Sequence, residues 1–179
     1  MTPDLKTLTN FLVSLGVDKI AHTKKTYLAH VIGVYRDLEA RGFDRDVCLA
    51  GMFHSIYGTE MFQRFKLPLD RRQEIRDLIG ERAERIAYYN CVMDRGSFYE
   101  AAKSDGEAYT IVDRLTRQPI TMNRQDFDDL CRVHFYDWME QVARSGMWDY
   151  QRDSFRRLAH RLGSQAIADF EQVFANAPA

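Results

Sequence analysis

Two histidines and a later aspartate are the residues whose types and spacing are best suited to chemistry. His30 and His54 lie in separate apolar helical segments, 24 positions apart, and acidic residues lie in a later segment of strong helical periodicity. Two imidazoles and a carboxylate are a competent ligand set for a divalent first-row transition metal. A lone histidine on an apolar helix face is more often a hydrogen-bonded core residue, so it is the pair that predicts a metal site.

Three helices must bring these side chains together, and the spacing of apolar residues predicts each of them. The first spans residues 26–42, the second spans 47–57, and the third starts at its N-cap Asn123 and continues through Val142. Each helix carries one of the three candidate ligands. We therefore expect the metal site to lie between three helices of the core.

Four more helices and one β-hairpin complete the predicted fold. Apolar residues three and four positions apart predict helices at 5–15, 69–80, from residue 81 onward and at about 150–174. Residues 95–106 are polar and contain glycines, and we assign them no helix. Residues 108–122 alternate β-branched residues around the turn sequence TRQP, which indicates a hairpin. The sequence thus predicts one domain over 1–179, an all-α bundle of about seven helices with a small β-hairpin insertion.

The composition argues against nucleic acid and membrane partners. The chain has 25 basic and 26 acidic residues and a formal net charge of −1, which creates no field that attracts polyanions. No stretch approaches the roughly 20 apolar residues of a membrane helix, and the first residues lack the basic region of a signal peptide. Cys48, Cys91 and Cys131 are widely spaced within apolar segments, so we expect buried thiols in a reducing cytoplasm rather than disulfides.

The sequence around the two histidines resembles a known family. Residues 22–59, HTKKTYLAHVIGVYRDLEARGFDRDVCLAGMFHSIYGT, are similar to the N-terminal part of an HD domain, most closely the alarmone hydrolase domain of the RelA/SpoT group and its small single-domain animal relatives. In that family a polar stretch and a tyrosine precede the first metal histidine, as Thr23, Lys24 and Tyr27 precede His30. The segments IRDLIGERAERIAYYNCVMD and HFYDWMEQVARSG resemble two later family helices, the second of which bears the last metal aspartate. The resemblance implies an HD-like helical bundle.

The resemblance also implies a ligand set and a reaction. Residue by residue, His30, His54 and Asp137 match the metal ligands, and Gln141 matches a position near the metal and the substrate. The implied cofactor is a divalent ion, Mn²⁺ or Fe²⁺, and the implied substrate is a small phosphorylated or nucleotide-like molecule. The segment IVDRLT also resembles the final-aspartate motif, which leaves Asp113 as a second choice of third ligand, although the β-branched alternation around it favours a hairpin.

Two departures from the family pattern bear on catalysis. The aspartate that follows the second histidine is Ser55 here, and a serine hydroxyl is a poor ligand for Mn²⁺ or Fe²⁺. The acidic pair that activates water in the family is replaced by Gly58 and Thr59. Glu60 and His22 are the nearest residues that could fill these gaps, with Glu60 as the general base if the chain bends at the glycine.

Several polar side chains near the predicted ligands are candidates for catalysis and substrate binding. The catalytic candidates are Ser55, Glu60 and Gln141, and the substrate-binding candidates are Lys24, Tyr27 and Tyr57. Lys24 could contact a phosphate at the mouth of the site. Tyr57 could stack on a nucleobase, although aromatic residues at helical spacing are core residues first. His134 lies one turn before Asp137 and is a candidate hydrogen-bond partner or ligand at the centre.

These patterns favour a metal-dependent enzyme of the HD type, with a phosphohydrolase-like activity on a small phosphorylated or nucleotide-like metabolite. The loss of the acidic pair keeps two alternatives open, an inactive HD pseudo-enzyme that binds a nucleotide or a protein partner and an HD-type iron oxygenase. A helical protein in which the two histidines only hydrogen-bond in the core is the remaining alternative. The expected partner is a small-molecule substrate, and a homodimer is left open.

Overall fold

The chain folds as a helical bundle with two short β-hairpins. The computed structural model describes residues 3–178. Among these residues the helices are α1 (Leu5–Ser14), α2 (Tyr27–Ala40), α3 (Arg45–Phe53), α4 (Arg72–Ile79), α5 (Glu81–Val92), α6 (Arg95–Ala101), α7 (Arg124–Ser145), α8 (Arg152–Leu162) and α9 (Ser164–Phe174). The strands are β1 (Ala21–His22), β2 (Lys25–Thr26), β3 (Ala108–Val112) and β4 (Pro119–Asn123). The predicted, mostly helical class is therefore confirmed.

Helices α2, α3, α5 and α7 form the centre of the bundle. Helix α3 packs against the other three, and every one of its residues from 47 to 53 is buried. Gly51 lets α2 approach closely, because a Cβ at this position would overlap with the side chain of Leu38 on α2. The second predicted metal histidine follows directly at the end of α3, so this tight contact fixes its backbone.

Side-chain caps start the three helices that carry the predicted ligands. Thr26, Asp44 and Asn123 are the N-caps of α2, α3 and α7, and each side chain accepts a hydrogen bond from the backbone N–H three residues later. The predicted cap Asn123 is thus confirmed. Helix α7 continues to Ser145 and ends where Gly146 adopts a positive φ of 71°.

Two departures raise the helix number from about seven to nine within residues 3–178. Residues 95–101, to which no helix was assigned, form α6, because Asp94 caps the segment and Phe98 and Tyr99 bury its apolar side. The predicted last helix, 150–174, is two helices. Gly163 adopts a φ of +102°, which breaks the helical path between α8 and α9.

The predicted hairpin is present as β3 and β4. These strands pair antiparallel, from Ala108 opposite Asn123 to Val112 opposite Pro119. The Asp113 carboxylate accepts hydrogen bonds from the backbone of Leu115 at 2.7 Å and of the next residue, and so it closes the turn of this hairpin.

A second, unpredicted hairpin joins β1 to β2 next to the N-terminus of α2. Its two turn residues, Thr23 and Lys24, have positive φ values of 39° and 61°, a backbone region that is strained for a β-branched threonine. Helix α7 holds this turn in place. Thr23 Oγ1 donates to Gln141 Oε1 at 3.0 Å, and Arg144 Nε donates to the Thr23 carbonyl at 3.3 Å.

One continuous cluster of buried side chains extends through the helices. Cys48, Cys91 and Cys131 are buried and unpaired within it, which confirms the prediction of buried thiols. In the part of the chain that the structure describes, a helix with the length and apolar character needed to cross a bilayer is not found.

Candidate metal centre

The structure brings His30, His54 and Asp137 together in the core. His30 is the fourth residue of α2, His54 is the C-cap of α3, and Asp137 lies in the middle of α7. His30 Nε2 is 3.0 Å from Asp137 Oδ1 and 3.4 Å from His54 Nε2, and His54 Nε2 is 3.3 Å from the same Oδ1. All three side chains are buried. Three predicted ligands from distant parts of the sequence therefore meet at one point.

The hydrogen bonds of the two imidazoles fix which nitrogens face this point. His30 Nδ1 lies 2.6 Å from Glu140 Oε2, and His54 Nδ1 lies 2.7 Å from the Gly51 carbonyl oxygen. Each of these oxygens can only accept, so each Nδ1 carries the proton and donates. Both Nε2 lone pairs then face the Asp137 carboxylate, and these three acceptor atoms repel one another when no proton lies between them. The arrangement requires a cation or added protons at its centre.

The pKa shifts of His30 and Asp137 also indicate that the centre favours positive charge. Burial acts to lower the pKa of His30, but the hydrogen bonds to Asp137 and Glu140 outweigh burial and raise this pKa. Burial acts to raise the pKa of Asp137, but His54 and His30 together hold it well below its usual range. The pocket between the three side chains thus stabilises positive charge, whether protons or a metal ion supply it.

The donor spacing fits a first-row divalent ion. For ligand bonds of about 2.1 Å, neighbouring donors lie about 3.0 Å apart in octahedral and about 3.4 Å apart in tetrahedral geometry. The three observed separations, 3.0, 3.3 and 3.4 Å, fall in this interval. A buried cluster of His30, His54 and Asp137 that could hold a metal ion is therefore present, and the predicted third ligand Asp137 is preferred over Asp113 on geometry.

Glu140 is a residue of the centre that the sequence analysis missed. Its side chain is only 6% exposed and accepts hydrogen bonds from His30, from Lys25 and, at 2.7 Å, from Arg144 Nη2. Burial acts to raise the pKa of Glu140, but the hydrogen bonds from His30 and Arg144 outweigh burial and lower the pKa. The available signal was its position one helical turn after Asp137, since a carboxylate often accepts the second N–H of a metal-binding histidine.

Glycine 33 makes room for this carboxylate on the neighbouring helix. A Cβ at Gly33 would lie 2.7 Å from Glu140 Oε1 and 3.2 Å from Glu140 Cδ. Helices α2 and α7 therefore approach closely where the glutamate reaches His30. Local sequence patterns predict no role for this glycine, because its function depends on a contact with a residue 107 positions away along the chain.

Ser55 and Gln141 lie at the centre but differ in what they contact. Ser55 Oγ is buried and donates to the hydroxyl of Tyr27 at 3.0 Å, so the residue that replaces the family aspartate is engaged away from the three donors. Gln141 Nε2 donates to Asp137 Oδ1 at 2.8 Å, and its Oε1 accepts from Thr23. Gln141 thus connects a predicted ligand to the strained β1–β2 turn.

A cavity of about 660 Å³ is lined by two of the three candidate metal ligands, His54 and Asp137, while His30 lies outside its wall. His54, Asp137, Ser55, Gln141 and Lys24 contribute to its walls, which places four predicted site residues together with Lys24 at the mouth. Tyr27 is buried behind this wall and contributes its hydroxyl only to Ser55. The cavity therefore presents the metal centre to a ligand of small-molecule size.

His22 lies at the cavity wall as the sequence analysis anticipated. Its ring stacks on the His30 ring, with centroids 4.3 Å apart and planes inclined by 7°. Burial, helped by the nearby His30, lowers the pKa of His22 to about 4. His22 is not a member of the three-residue donor cluster, so it lies beside the centre and does not replace the missing carboxylate ligand.

Two predicted site residues lie elsewhere. The Glu60 side chain is exposed and accepts a hydrogen bond from the Arg95 backbone N–H at 2.9 Å, so the chain after Gly58 carries it away from the cavity. The Tyr57 hydroxyl donates to the buried Glu84 at 2.9 Å and stays in the core. Neither residue lines the cavity, so neither is placed to act there as a general base or to stack on a ligand.

His134 lines the cavity one turn before Asp137 but is outside the donor cluster. Its Nε2 lies 3.0 Å from the Tyr99 hydroxyl, and its ring is fully buried among aromatic side chains. Burial lowers the pKa of His134 to about 3. His134 is therefore neutral at physiological pH, and its position outside the cluster of His30, His54 and Asp137 separates it from the candidate ligands.

Comparison with known proteins identifies one similar family. Residues 11–95 match the family model of DUF6817, which is described as a domain of unknown function. This segment contains His30, His54 and Ser55 but ends before Asp137. No curated protein sequence and no solved structure matches the chain. The function is therefore argued from the site itself.

Proposed function

We propose that this chain is a metal-dependent enzyme of the HD type that acts on a small phosphorylated or nucleotide-like metabolite. The observation that carries the proposal is the convergence of His30 Nε2, His54 Nε2 and Asp137 Oδ1 at 3.0 to 3.4 Å. The resemblance of residues 22–59 to an HD domain supports the same ligand assignment. Mn²⁺ and Fe²⁺ are the ions that a mixed imidazole and carboxylate set of this type suits.

The walls of the cavity favour an anionic substrate. Lys24 and Arg64 lie at its mouth, and Asp137 is the only acidic residue among the described residues that line it. Its volume of about 660 Å³ is within the range of about 300–1,000 Å³ usual for small-molecule sites. The positive charges of the lysine and the arginine would thus attract a substrate phosphate group toward the candidate metal ligands.

The residues around the donors divide the work of such a site. A bound divalent ion supplies Lewis acidity and lowers the pKa of water. Glu140 orients His30 by accepting a hydrogen bond from the His30 Nδ1–H. The Gln141 amide nitrogen orients Asp137, and the Gln141 amide oxygen accepts from Thr23 in the β1–β2 turn. A general-base carboxylate is missing from the described cavity wall, and such a base contributes about 10²–10⁴ in rate. We therefore expect slow hydrolysis compared with a family member that keeps the acidic pair.

Metal analysis of the purified protein tests the proposal. Protein expressed with added Mn²⁺ and Fe²⁺ should contain close to one equivalent of a transition metal, and His54→Ala should lose it. His160→Ala, which changes an exposed histidine of α8, is the matched control and should keep the metal. A wild-type metal content below about a tenth of an equivalent would count against the proposal, since a site of this kind binds its ion tightly.

A phosphatase screen then separates an enzyme from a binding protein. Metal-dependent release of phosphate or pyrophosphate from nucleotides, abolished in His54→Ala, would support hydrolysis. A thermal shift with guanine nucleotides without turnover under any metal would instead favour an inactive binding protein.

An HD-type iron oxygenase is a second candidate that one observation favours. Two histidines and one carboxylate on one side of an ion are the ligand set of non-haem iron(II) oxygenases, which leave the remaining positions open. Among the described residues, the cavity wall has no carboxylate that could act as a general base. Hydrolysis benefits from such a base, whereas oxygenation does not depend on it. Substrate-dependent oxygen consumption by the Fe²⁺-loaded protein, absent in the Mn²⁺-loaded protein, would select this alternative.

A further inference from the structure

Three buried nitrogen atoms of residues that line the cavity have no hydrogen-bond partner among residues 3–178. They are Trp138 Nε1, Arg95 Nε and His134 Nδ1, and all three residues line the same cavity. His134 is 1% exposed and Trp138 is 8% exposed, and Arg95 is half-buried. Buried polar groups are almost always paired, so three unpaired nitrogens in one cavity wall indicate a missing partner.

The chemistry of these atoms specifies what the partner must be. The Trp138 indole N–H and the Arg95 guanidinium can only donate hydrogen bonds. His134 Nε2 lies 3.0 Å from the Tyr99 hydroxyl, and in the tautomer that accepts from this hydroxyl the proton of the neutral ring is on Nδ1, which makes it a third donor. Three donors in the lining of one cavity, one of them on a positively charged group, match an acceptor group with several oxygens and a negative charge.

The surroundings of these donors are aromatic. The Trp138 ring stacks on Phe155 of α8, with centroids 5.7 Å apart and planes at 18°, and it contacts Tyr150 at 5.2 Å. Arg95 Nη1 donates to the Tyr150 hydroxyl at 2.8 Å, which fixes the guanidinium against this wall. An oxyanion bound here would be sheltered from water, so its charge-assisted hydrogen bonds would be strong.

We propose that Arg95, His134 and Trp138 form a subsite for a carboxylate or phosphate group of the substrate, which is attached to an apolar body that packs on the aromatic wall. His134 and Trp138 flank Asp137 on α7, so this subsite lies within about 5 Å along the helix axis of the metal ligand. The bound oxyanion therefore anchors one end of the substrate while another group faces the metal centre. This inference deepens the proposed function and rests on it, because both sites share one cavity.

Titration calorimetry on metal-free protein tests the subsite independently of the metal. The probes are benzoate and phenylphosphonate, which place a planar and a tetrahedral oxyanion on the same apolar ring. The buffer is Tris chloride, because sulfonate buffers are themselves oxyanions. Wild-type protein should bind at least one probe saturably, and the tighter of the two identifies the geometry of the anchored group.

Matched variants locate the binding. Trp138→Phe removes the N–H and keeps an aromatic ring, and Arg95→Met removes the charge. Each should weaken the binding about tenfold, the effect of losing a hydrogen bond to a charged group. Trp148→Phe and Arg152→Met are the controls and should bind as wild type. Arg152 is a demanding control because its Nε is also buried without a partner, yet it lies outside this cavity.

The outcomes separate this inference from the proposed function. Failure of wild type to bind either probe, or equal binding by folded Trp138→Phe and Arg95→Met proteins, would overturn the subsite and leave the metal proposal standing. Binding that responds to these variants in a protein that never acquires a transition metal would support the subsite and overturn the metal proposal. Circular dichroism and thermal melting establish that each variant is folded, and Arg95→Met alone decides the question if Trp138→Phe does not fold.

Discussion

At the scale of single residues, the orientation of His30 depends on Glu140. This carboxylate accepts the His30 Nδ1–H at 2.6 Å and is balanced by the cations of Lys25 and Arg144. Such a contact selects the tautomer whose Nε2 lone pair faces the centre and increases the basicity of that nitrogen. The donor set is thus as dependent on Glu140 as on the three candidate ligands.

Glu140→Gln should weaken divalent metal binding about 10–100-fold, the usual effect of losing such a partner. Glutamine keeps an oxygen that can accept from His30 but removes the negative charge. Competition with a fluorescent chelator measures the affinity. Glu100→Gln, which changes an exposed glutamate paired with Lys103, is the control and should leave the affinity as in wild type. Equal affinity in the two variants would mean that the glutamate only packs beside the histidine.

His134 gives the protein a defined sensitivity to acid. Its pKa is about 3 in the folded protein and about 6.5 in the unfolded chain, so the unfolded state binds more protons between these values. The free energy of unfolding should therefore fall as the pH decreases below about 6.5. His134→Gln should show a shallower fall in urea titrations between pH 6.5 and 4 than wild type and than the exposed control His160→Gln. Parallel curves for all three proteins would contradict this assignment.

The sequence predicted residues whose type implies chemistry and missed those whose role comes from a contact. His30 and His54 were predicted because a pair of imidazoles on apolar helices is unusual, and Asp137 was predicted from the resemblance of its segment to an HD-family helix. Glu140 was missed because a glutamate on a helix is ordinary until its partner is known. Glu60 was expected in the site, but the backbone direction after Gly58, where φ is +76°, decides its position and is not encoded in hydrophobic periodicity.

At the scale of secondary-structure elements, the α2–α3 contact positions both histidines. Gly51 and Leu38 meet where the two helices are closest. The residues of α3 from 47 to 53 are all buried, so the helix has no free side toward which it could shift. The separation of His30 and His54 is thereby set by packing between the helices that carry them.

Gly51→Ala should destabilise the protein by about 1–3 kcal/mol, the usual cost of overpacking a core. The added methyl group would overlap with the Leu38 side chain, which outweighs the better helix propensity of alanine. Chemical denaturation measures the change. The double variant Gly51→Ala/Leu38→Ala should lose less than the sum of the two single variants, because the smaller side chain makes room. Strict additivity would show that the overlap is relieved elsewhere.

The helices with clear hydrophobic periodicity and the alternating β3–β4 hairpin were predicted, whereas the short helix α6 and the β1–β2 hairpin were not. Helix α7 was expected from Asn123 onward, and the structure starts it there. Helix α6 was missed because its seven residues are too few for a period and only two of them are buried. The break at Gly163 was missed because the apolar pattern continues across it, and only the positive φ separates the two helices.

At the scale of the whole molecule, the centre joins segments that are far apart in the chain. Two donors come from α2 and α3 and the third comes from α7, 107 positions after His30. A ligand that binds only the folded state stabilises it by mass action. A metal ion held by these donors would therefore link the first and the second half of the chain.

Chelation of the metal should lower the Tm of the whole protein by about 5–10 °C if the ion is present at about 100 times its Kd. Differential scanning calorimetry with and without a chelator measures the shift. His54→Ala should melt at the same temperature in both conditions. A wild-type protein that contains metal but melts identically with chelator would contradict the link between the centre and global stability.

The strained β1–β2 turn connects the mouth of the cavity to its floor, where the candidate metal ligands lie. Thr23 is bonded to Gln141, which holds Asp137, and Lys25 is bonded to Glu140, which holds His30. Any ligand that shifts the turn must then disturb two metal donors at once. Binding at the mouth and binding at the floor are therefore expected to be cooperative, and each must change the affinity of the other by the same factor.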